Sequence, residues 1–301
     1  MKVIPGDKVI YKFKNDMGYI EKIASRERVK VVTNDCWFQQ IHSESQVVKE
    51  INYDILNPAT GPIYIEDAEP GDILQVRILD IGIKDSGSAL VVPGEGILGD
   101  KVAKPVVRII KIEDGYALFQ GIKLPIEPMI GVIGVAPAVE DGEWTTDSPW
   151  KHGGNMDTKD IKKGSTLYFP VNQRGAMLAL GDCHAIMGDG EVCFTGLEIP
   201  GEVTLELNVI KNKSIVWPIV ETEEYTMVIA SGDTLEDAAY EATNQAVNYL
   251  KDGLNMGWED AYILASLSVD LKISQVVDPK LTVRAAIPKY ILSTEELIDC
   301  L

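Results

Sequence analysis

The densest set of groups that could do chemistry lies in one short segment, residues 180–191. In order along the chain, its reactive side chains are Asp182, Cys183, His184, Asp189 and Glu191. If the segment is an extended strand, Asp182 and His184 point to the same face, because side chains two residues apart do so. A carboxylate and an imidazole that converge in this way can bind Zn²⁺ or a similar ion and leave one position open for water. The alternative is a loop with acidic turn residues and a hydrogen-bonded histidine.

Two other segments carry groups of the same kinds. Asp35 and Cys36 come at the end of the predicted strand Arg28–Thr33, where functional groups are often exposed. Asn155 follows two glycines that allow a close backbone approach, and its amide can donate a hydrogen bond. The simpler interpretations are an Asn-Asp turn after the strand, a cysteine buried as a small apolar residue, and a flexible polar loop around Asn155.

The charge balance limits the partners that the protein can have. Its 46 acidic and 28 basic residues give a formal net charge of −18. Such a charge repels phosphate backbones and anionic lipids, so we expect neither nucleic acid nor membrane as a partner. A neutral or cationic small molecule suits this field better, and so does a metal cation.

The cysteines and the hydropathy pattern indicate the compartment. None of the four cysteines belongs to a C-x-x-C pair, so neither a zinc knuckle nor a thioredoxin-type redox centre is indicated. No stretch approaches the roughly 20 apolar residues of a membrane span, and the first residues have no signal-peptide pattern. We therefore expect a cytoplasmic protein with reduced cysteines.

The elements that must position these groups are mostly strands. Alternating or branched runs predict strands at Ile73–Ile83, Val203–Ile210 and Tyr225–Ala230, separated by frequent Pro-Gly and Asp-Gly turns. Two helices are predicted near the C-terminus, one capped by Asp233 with Glu236 at its third position and one over about 258–268.

This pattern predicts a mainly β fold, sandwich-like or barrel-like, with a small C-terminal α/β portion that contains two helices. We expect residues 1–301 to form one compact unit. Its β-rich portion extends roughly over residues 1–220, and the α/β portion that closes the fold extends roughly over residues 221–301.

Six short motifs occur in the order that is seen in the acetamidase/formamidase family, which the sequence resembles over about residues 5–290. These motifs are Asn57–Pro62, Ala68–Asp72, Gly153–Asp157, Pro170–Val171, Gly181–Ala185 and Gly188–Glu191. Members of the family hydrolyse small amides to ammonia and a carboxylate. The resemblance implies a mostly β fold, bound divalent ions, no organic cofactor, and self-association as a homodimer or a higher homo-oligomer.

The resemblance also implies roles for single residues. Asp182 and His184 match the Asp-x-His-Ala pattern of the family, Glu198 matches its later glutamate, and Asp35 with Cys36 matches its Asp-Cys pair. Met187 stands where we expect a glutamine, which bears on amide specificity if this residue touches the substrate.

The first hypothesis for the mechanism is hydrolysis of a small neutral amide, such as formamide or acetamide, by a metal-activated water. Asp182 and His184 are the first ligands that we assign to a divalent ion, Zn or Ca, with Asp35 as the third. Glu191 or Glu198 is the base that moves the proton, and Asn155 holds the amide carbonyl.

Three alternatives stay open at this point. A thiolate of Cys36, or of Cys183, could be the nucleophile with His184 as its base. The chain could be a non-catalytic ligand-binding β-sandwich whose acidic turns hold structural Ca²⁺. It could also be an enzyme that acts on larger or cyclic amides.

Strand alternation separates the roles of Asp182 and Cys183. We expect Asp182→Asn to lower the rate of amide hydrolysis strongly, since a neutral amide is a poorer ligand than a carboxylate. We expect Cys183→Ala to lower the free energy of unfolding by about 1 kcal/mol, with little change in rate. Steady-state kinetics and urea unfolding of both variants measure this, and an inactive Cys183→Ala beside an active Asp182→Asn would reverse the assignment.

Overall fold

Two β-sheets packed face to face, with helices on the outer side of one of them, make up the fold. The computed structural model describes residues 1–46 and 48–301. The strands are β1 Lys2–Ile4, β2 Val9–Ile10, β3 Lys12–Phe13, β4 Glu21–Ile23, β5 Arg28–Val32, β6 Ala59–Ile65, β7 Ile73–Ile83, β8 Ser86–Val91, β9 Val106–Glu113, β10 Tyr116–Phe119, β11 Ile122–Pro125, β12 Met129–Gly134, β13 Trp144–Thr145, β14 Gly153–Asn155, β15 Thr166–Pro170, β16 Leu178–His184, β17 Glu198–Ile199, β18 Gly201–Ile210, β19 Ile219–Glu221, β20 Tyr225–Gly232, β21 Asp270–Gln275 and β22 Leu281–Pro288. The α-helices are α1 Leu235–Gly253, α2 Trp258–Ser268 and α3 Thr294–Asp299, and short 3₁₀ segments lie at Val48–Glu50, Tyr53–Ile55, Gly99–Lys101 and Val139–Asp141.

The first sheet has nine strands in the order β1-β5-β18-β7-β15-β19-β20-β22-β21. All of its neighbouring strands are antiparallel except β1 and β5. The second sheet follows the order β11-β10-β9-β8-β17-β16-β12-β14, and β6 joins it beside β16 and also pairs with β2 and β4. A separate ribbon joins β3 to β13.

The period of two along β20 shows how the layers pack. Met227 and Ile229 face the apolar core between the two sheets, while Val228 and Ala230 face a second core beneath the helices. Helix α1 covers that second core with small residues, because Ala238, Ala242 and Ala246 are all fully buried. The order of layers is therefore sheet, sheet, helix.

The mainly β fold class predicted from the sequence is confirmed. Strand β7 and helix α2 have the predicted bounds, but three α-helices are present among the described residues instead of two, since the six-residue α3 was not predicted. The predicted cap of α1 was wrong by one residue. Thr234 is the N-cap, and Asp237 closes the capping box.

The C-terminal strands extend the first sheet. Strands β19 and β20 are hydrogen-bonded neighbours, and the predicted division near residue 220 falls within β19, inside one continuous sheet. The division into two portions stays a prediction. Among the described residues, none of the helices combines the length and the apolar composition needed to cross a bilayer.

Candidate active site

His184 is the centre of a buried cluster of carboxylates. The distances from its Nε2 atom are 3.3 Å to Glu198 Oε2, 3.5 Å to Asp182 Oδ1, 3.8 Å to Asp157 Oδ1 and 3.9 Å to Glu191 Oε1. None of the five side chains is more than 5% exposed. One imidazole nitrogen therefore has four carboxylates around it in a region that excludes solvent.

The second sheet brings these groups together because β17, β16, β12 and β14 are consecutive neighbours in it. Asp182 and His184 are on β16, and Glu198 is directly opposite His184 in the ladder with β17. Glu191 lies in the connection from β16 to β17, and Asp157 comes two residues after the end of β14. Cys183 points the other way, into the core between the sheets, with its Sγ 3.4 Å from Thr33 Oγ1.

Three of the four carboxylates sit on backbone that side chains rarely adopt. The φ angles are 38° at Asp157, 53° at Asp182 and 45° at Glu191. The left-handed conformation costs a non-glycine residue roughly 1–2 kcal/mol, so it persists only where the surroundings enforce it. Such strain is frequent at ligand-binding and active sites, and here it occurs in three residues whose carboxylates all lie within 4 Å of His184 Nε2.

Two glycines leave the space that the cluster occupies. A Cβ atom on Gly131 of β12 would lie 2.6 Å from Asp182 Oδ2 and closer still to Asp157 Oδ1. A Cβ atom on Gly196 would lie 2.6 Å from His184 Nδ1. Cβ atoms do not approach other atoms so closely. Glycine at these two positions therefore lets the backbone pack directly against the carboxylates and the imidazole.

The ligand atoms fall into two adjoining groups that could each hold a metal ion. Asp157, His184 and Glu191 form one group, and Cys36, Asp182 and Glu198 form the other, with the ligand atoms of each group within 4.8 Å of one another. Several of these atoms are buried and have no hydrogen-bond partner, namely both ring nitrogens of His184, Asp157 Oδ1, Asp182 Oδ1 and Glu198 Oε2. Buried polar atoms are normally satisfied, so unpartnered atoms that converge have the arrangement that a bound cation would need.

Of the other residues predicted from the sequence, the structure brings Cys36 and Asn155 to the site but not the carboxylate of Asp35. Cys36 and Asn155 both line the cavity described below. Asp35 Oδ1 accepts a hydrogen bond of 2.6 Å from Gln39 N, and its side chain faces a neighbouring cavity. Asp35 closes the turn after β5 and belongs to neither metal-binding group.

Sequence reasoning placed Asp157 in the Gly153–Asp157 motif without giving it a role in the site, and it did not identify Asp278. Asp157 ends the Gly-Gly-Asn-Met-Asp segment, and its carboxylate takes the place beside His184 that Asp35 was expected to fill. Asp278 Oδ2 accepts a hydrogen bond of 3.0 Å from Asn155 Nδ2. Its Val-Asp-Pro context is that of a simple turn, so no local signal indicates it.

A cavity of about 390 Å³ opens onto the cluster, within the range of roughly 300–1,000 Å³ that is typical of small-molecule sites. Its apolar lining residues are Trp37, Leu56, Phe194, Val277 and Pro279. Its acidic lining residues are Glu95, Asp147, Asp182, Glu191, Glu198 and Asp278, and no lysine, arginine or histidine lines it among the residues that the structure describes.

Burial and mutual repulsion disfavour the charged carboxylates. Burial raises the pKa of Asp157 to about 7, with a further contribution from Asp182, and raises the pKa of Glu198 to about 8. The pKa of Glu191 is well above its usual value because of burial and of repulsion by Asp157. Burial alone would lower the pKa of His184, but Glu198 and Asp182 together raise it well above its ordinary value. The cluster thus has an excess of negative charge that a bound cation would neutralise.

The surroundings of the Cys36 and Cys183 thiols raise their pKa values, whereas those of a reactive cysteine lower its pKa. Burial raises the pKa of Cys36 well above its ordinary value, and the charges of Glu198 and Asp182 raise it further. Burial raises the pKa of Cys183 to about 11. Reactive thiolates need electropositive surroundings, which neither cysteine has here.

Comparison with known proteins finds similarity in both sequence and fold. The model of the acetamidase/formamidase family matches residues 6–147 and 140–294. The chain is similar to the crystal structure of an acetamidase from Bacillus halodurans, with 39% identity, a TM-score of 0.93, and 96% of this chain and 97% of that chain covered. A structure described as a predicted acetamidase/formamidase from Thermoanaerobacter tengcongensis gives 38% identity, a TM-score of 0.95 and 98% coverage of both chains.

Curated relatives are more distant and longer. The chain is 26% identical to a formamidase from Methylophilus methylotrophus in an alignment 313 positions long, which includes 77% of this chain and 75% of that protein. It spans less than two thirds of the length of two other curated relatives, 63% of one and 56% of the other.

The glycine support predicts a sharp effect for a single methyl group. We expect Gly131→Ala to weaken divalent-ion binding and amide hydrolysis by about 10-fold or more, since it displaces Asp157 and Asp182 together. Gly82→Ala is the matched control, because Gly82 is also in a strand and its added Cβ would come no closer than 3.8 Å to another atom. Ion titration and ammonia release check this, and equal effects of the two substitutions would contradict it.

Proposed function

The chain belongs to the acetamidase/formamidase family, and from that premise we propose that it hydrolyses a small linear amide to ammonia and a carboxylate. The observation that carries the proposal is the convergence of four buried carboxylates on His184 Nε2 at the base of a small-molecule cavity. Self-association and a cytoplasmic location remain predictions from the sequence.

The residues present fit a divalent ion, zinc or calcium. Zinc favours nitrogen, carboxylate and thiolate ligands, and calcium favours several carboxylate oxygens. We assign Asp157, His184 and Glu191 as one ligand set, with Asp182, Glu198 and Cys36 adjoining it, because their unpartnered buried atoms converge. A divalent ion held there supplies a Lewis acid and lowers the pKa of water to near neutrality.

The side chains around that point supply the remaining functions of an amidase. Gly196 N donates a hydrogen bond of 3.0 Å to Glu198 Oε1, which leaves Oε2 facing the cluster. Glu198 or Glu191 takes a proton from the attacking water and delivers it to the amide nitrogen, which then leaves as ammonia. Asn155 donates one N–H to Asp278, so its second N–H remains for the substrate carbonyl and its Oδ1 for an amide N–H. Trp37 Nε1 is a second buried donor without a partner in the cavity wall.

The rival hypotheses receive less support from the geometry. A Cys36 nucleophile would have to ionise next to Asp182 and Glu198, which oppose the thiolate. A non-catalytic Ca²⁺-binding protein would not need Asn155 and the Trp37 N–H beside the acidic cluster. Larger or cyclic amides remain possible substrates for a cavity of this size.

An ion-content measurement combined with an ammonia-release assay tests the proposal. We expect the purified protein to contain a divalent ion and to release ammonia from formamide, acetamide or their longer homologues. Chelation should lower the rate, and one divalent ion should restore it. His184→Ala should lose both the ion and the activity, whereas His42→Ala, at an exposed histidine outside the cluster, should keep both.

Other outcomes would change the assignment. Full activity in a metal-free protein would remove the ion from the mechanism, and Cys36→Ser would then be the variant to measure. A retained ion without ammonia release from any amide would favour the binding protein. Glu198→Gln tests Glu198 as the base, because loss of the base lowers kcat while the ion is retained. Glu191→Gln should weaken the ion as well, since Glu191 is one of its assigned ligands.

The acidic lining predicts selection by charge. Glu95 and Asp147 are exposed lining residues, and exposed ion pairs contribute roughly 0.2–1 kcal/mol each. We therefore expect 3-aminopropanamide, a cation with the same number of heavy atoms as butyramide, to have a kcat/KM several-fold above that of butyramide. The anion succinamate should be the poorest of the three. The differences should shrink at high salt, and succinamate hydrolysis as fast as that of butyramide would contradict the prediction.

A further inference from the structure

Arg284 is a fully buried guanidinium on β22 whose hydrogen bonds reach toward the candidate site. Its Nε donates to Asp160 Oδ2 at 2.7 Å, and its Nη2 donates to Asp189 Oδ1 at 2.7 Å. Its Nη1 donates to Ile273 O at 2.7 Å and to Ser274 Oγ at 3.3 Å. All three guanidinium nitrogens are therefore used, on partners from three separate chain segments.

Two of these segments lead directly to a side chain of the cluster. Asp189 is two residues before Glu191, and Asp160 is three residues after Asp157. Ser274 is linked to the segment that contains Asp157 and Asp160, because its Oγ accepts a hydrogen bond of 2.8 Å from Thr158 Oγ1.

The backbone around Ser274 holds the Glu191 loop as well. Gly190 N donates to Ser274 O at 2.8 Å, and Val276 N donates to Gly190 O at 3.2 Å. The loop before Glu191 thus lies along the end of β21 like a short added strand. The Arg284 guanidinium binds the same loop through the carboxylate of Asp189 and the same strand through the carbonyl of Ile273.

Asp157 and Glu191 need such external support. Both have left-handed φ angles, 38° and 45°, a conformation that costs a non-glycine residue free energy. Both carboxylates are also repelled by the other acids of the cluster. Without a rigid connection, the two segments would relax away from His184.

We propose that Arg284 is a positioning residue for the proposed active site, and that its guanidinium fixes Asp157 and Glu191 at their separation by binding Asp160, Asp189 and Ser274 together. The inference rests on the proposed function for what the two carboxylates do, but not for the geometry itself. Lysine cannot replace the arginine, because a single ammonium does not present the planar fork that reaches two carboxylates and a carbonyl in different directions.

The test compares Arg284→Lys and Asp189→Asn with Lys289→Met. Lys289 forms a partly buried ion pair of 2.7 Å with Glu221 just beyond the far end of β22, so its loss controls for the removal of an ion pair from the same region. Zinc chloride and calcium chloride are titrated into each metal-free protein, and ammonia release and urea unfolding are measured in parallel.

We expect Arg284→Lys and Asp189→Asn to weaken the Kd of the ion by about 10- to 100-fold, the usual effect of losing a group that orients metal ligands. The value of kcat/KM should fall in proportion, while Lys289→Met keeps the wild-type Kd. Asp189 is one-third exposed, so Asp189→Asn keeps the test informative if Arg284→Lys does not fold.

The outcomes separate the inference from the proposed function. Wild-type Kd and kcat/KM in folded Asp189→Asn and Arg284→Lys would overturn the inference and leave the amidase intact. Ion binding without ammonia release in the wild type, with weakened binding in the variants, would overturn the amidase and support the positioning role. A wild-type protein that neither binds an ion nor releases ammonia would overturn both.

Discussion

The fold must overcome the electrostatic repulsion among four carboxylates that it holds around one imidazole nitrogen. Asp157, Asp182, Glu191 and Glu198 approach His184 Nε2 within 4 Å, in a region that water does not screen. Left alone, like charges at this separation would move apart or take up protons. Three features around the cluster hold the carboxylates in place: left-handed backbone at three of them, glycines packed against them, and the buried guanidinium of Arg284.

A two-sheet sandwich suits this task because its strands cannot slip without moving the core. Cys183 packs between the sheets while its neighbours Asp182 and His184 face the acidic cluster, so a shift of β16 by one residue would bury two charged groups in apolar surroundings. The same alternation that stabilises the sandwich therefore fixes the direction of the ligands. The nine-stranded sheet contributes from a distance, since its strands β21 and β22 carry Ser274 and Arg284, and α1 packs on β22.

The sequence was sufficient where the signal was local. The alternation in β16 predicted the common face of Asp182 and His184, and branched residues predicted β7 with its correct bounds. It was insufficient where contacts join distant segments. Asp35 was chosen because it precedes Cys36, but its carboxylate closes its own turn, and Asp157 occupies the place beside His184 instead. Asp278 lies more than 90 residues after His184, in the turn between β21 and β22, so only the tertiary fold brings it to Asn155.

The spread of the cluster along the chain has a consequence for biosynthesis. Its members extend from Cys36 to Asp278, and the arginine that braces them is residue 284. At a translation speed of roughly 5–20 residues per second, about 10–50 seconds separate the emergence of the first member from that of the last. A nascent chain on the ribosome thus exposes acidic fragments of the pocket long before it can assemble them. On the proposed function, an ion could be captured and an amide hydrolysed only after residue 284 has left the ribosome.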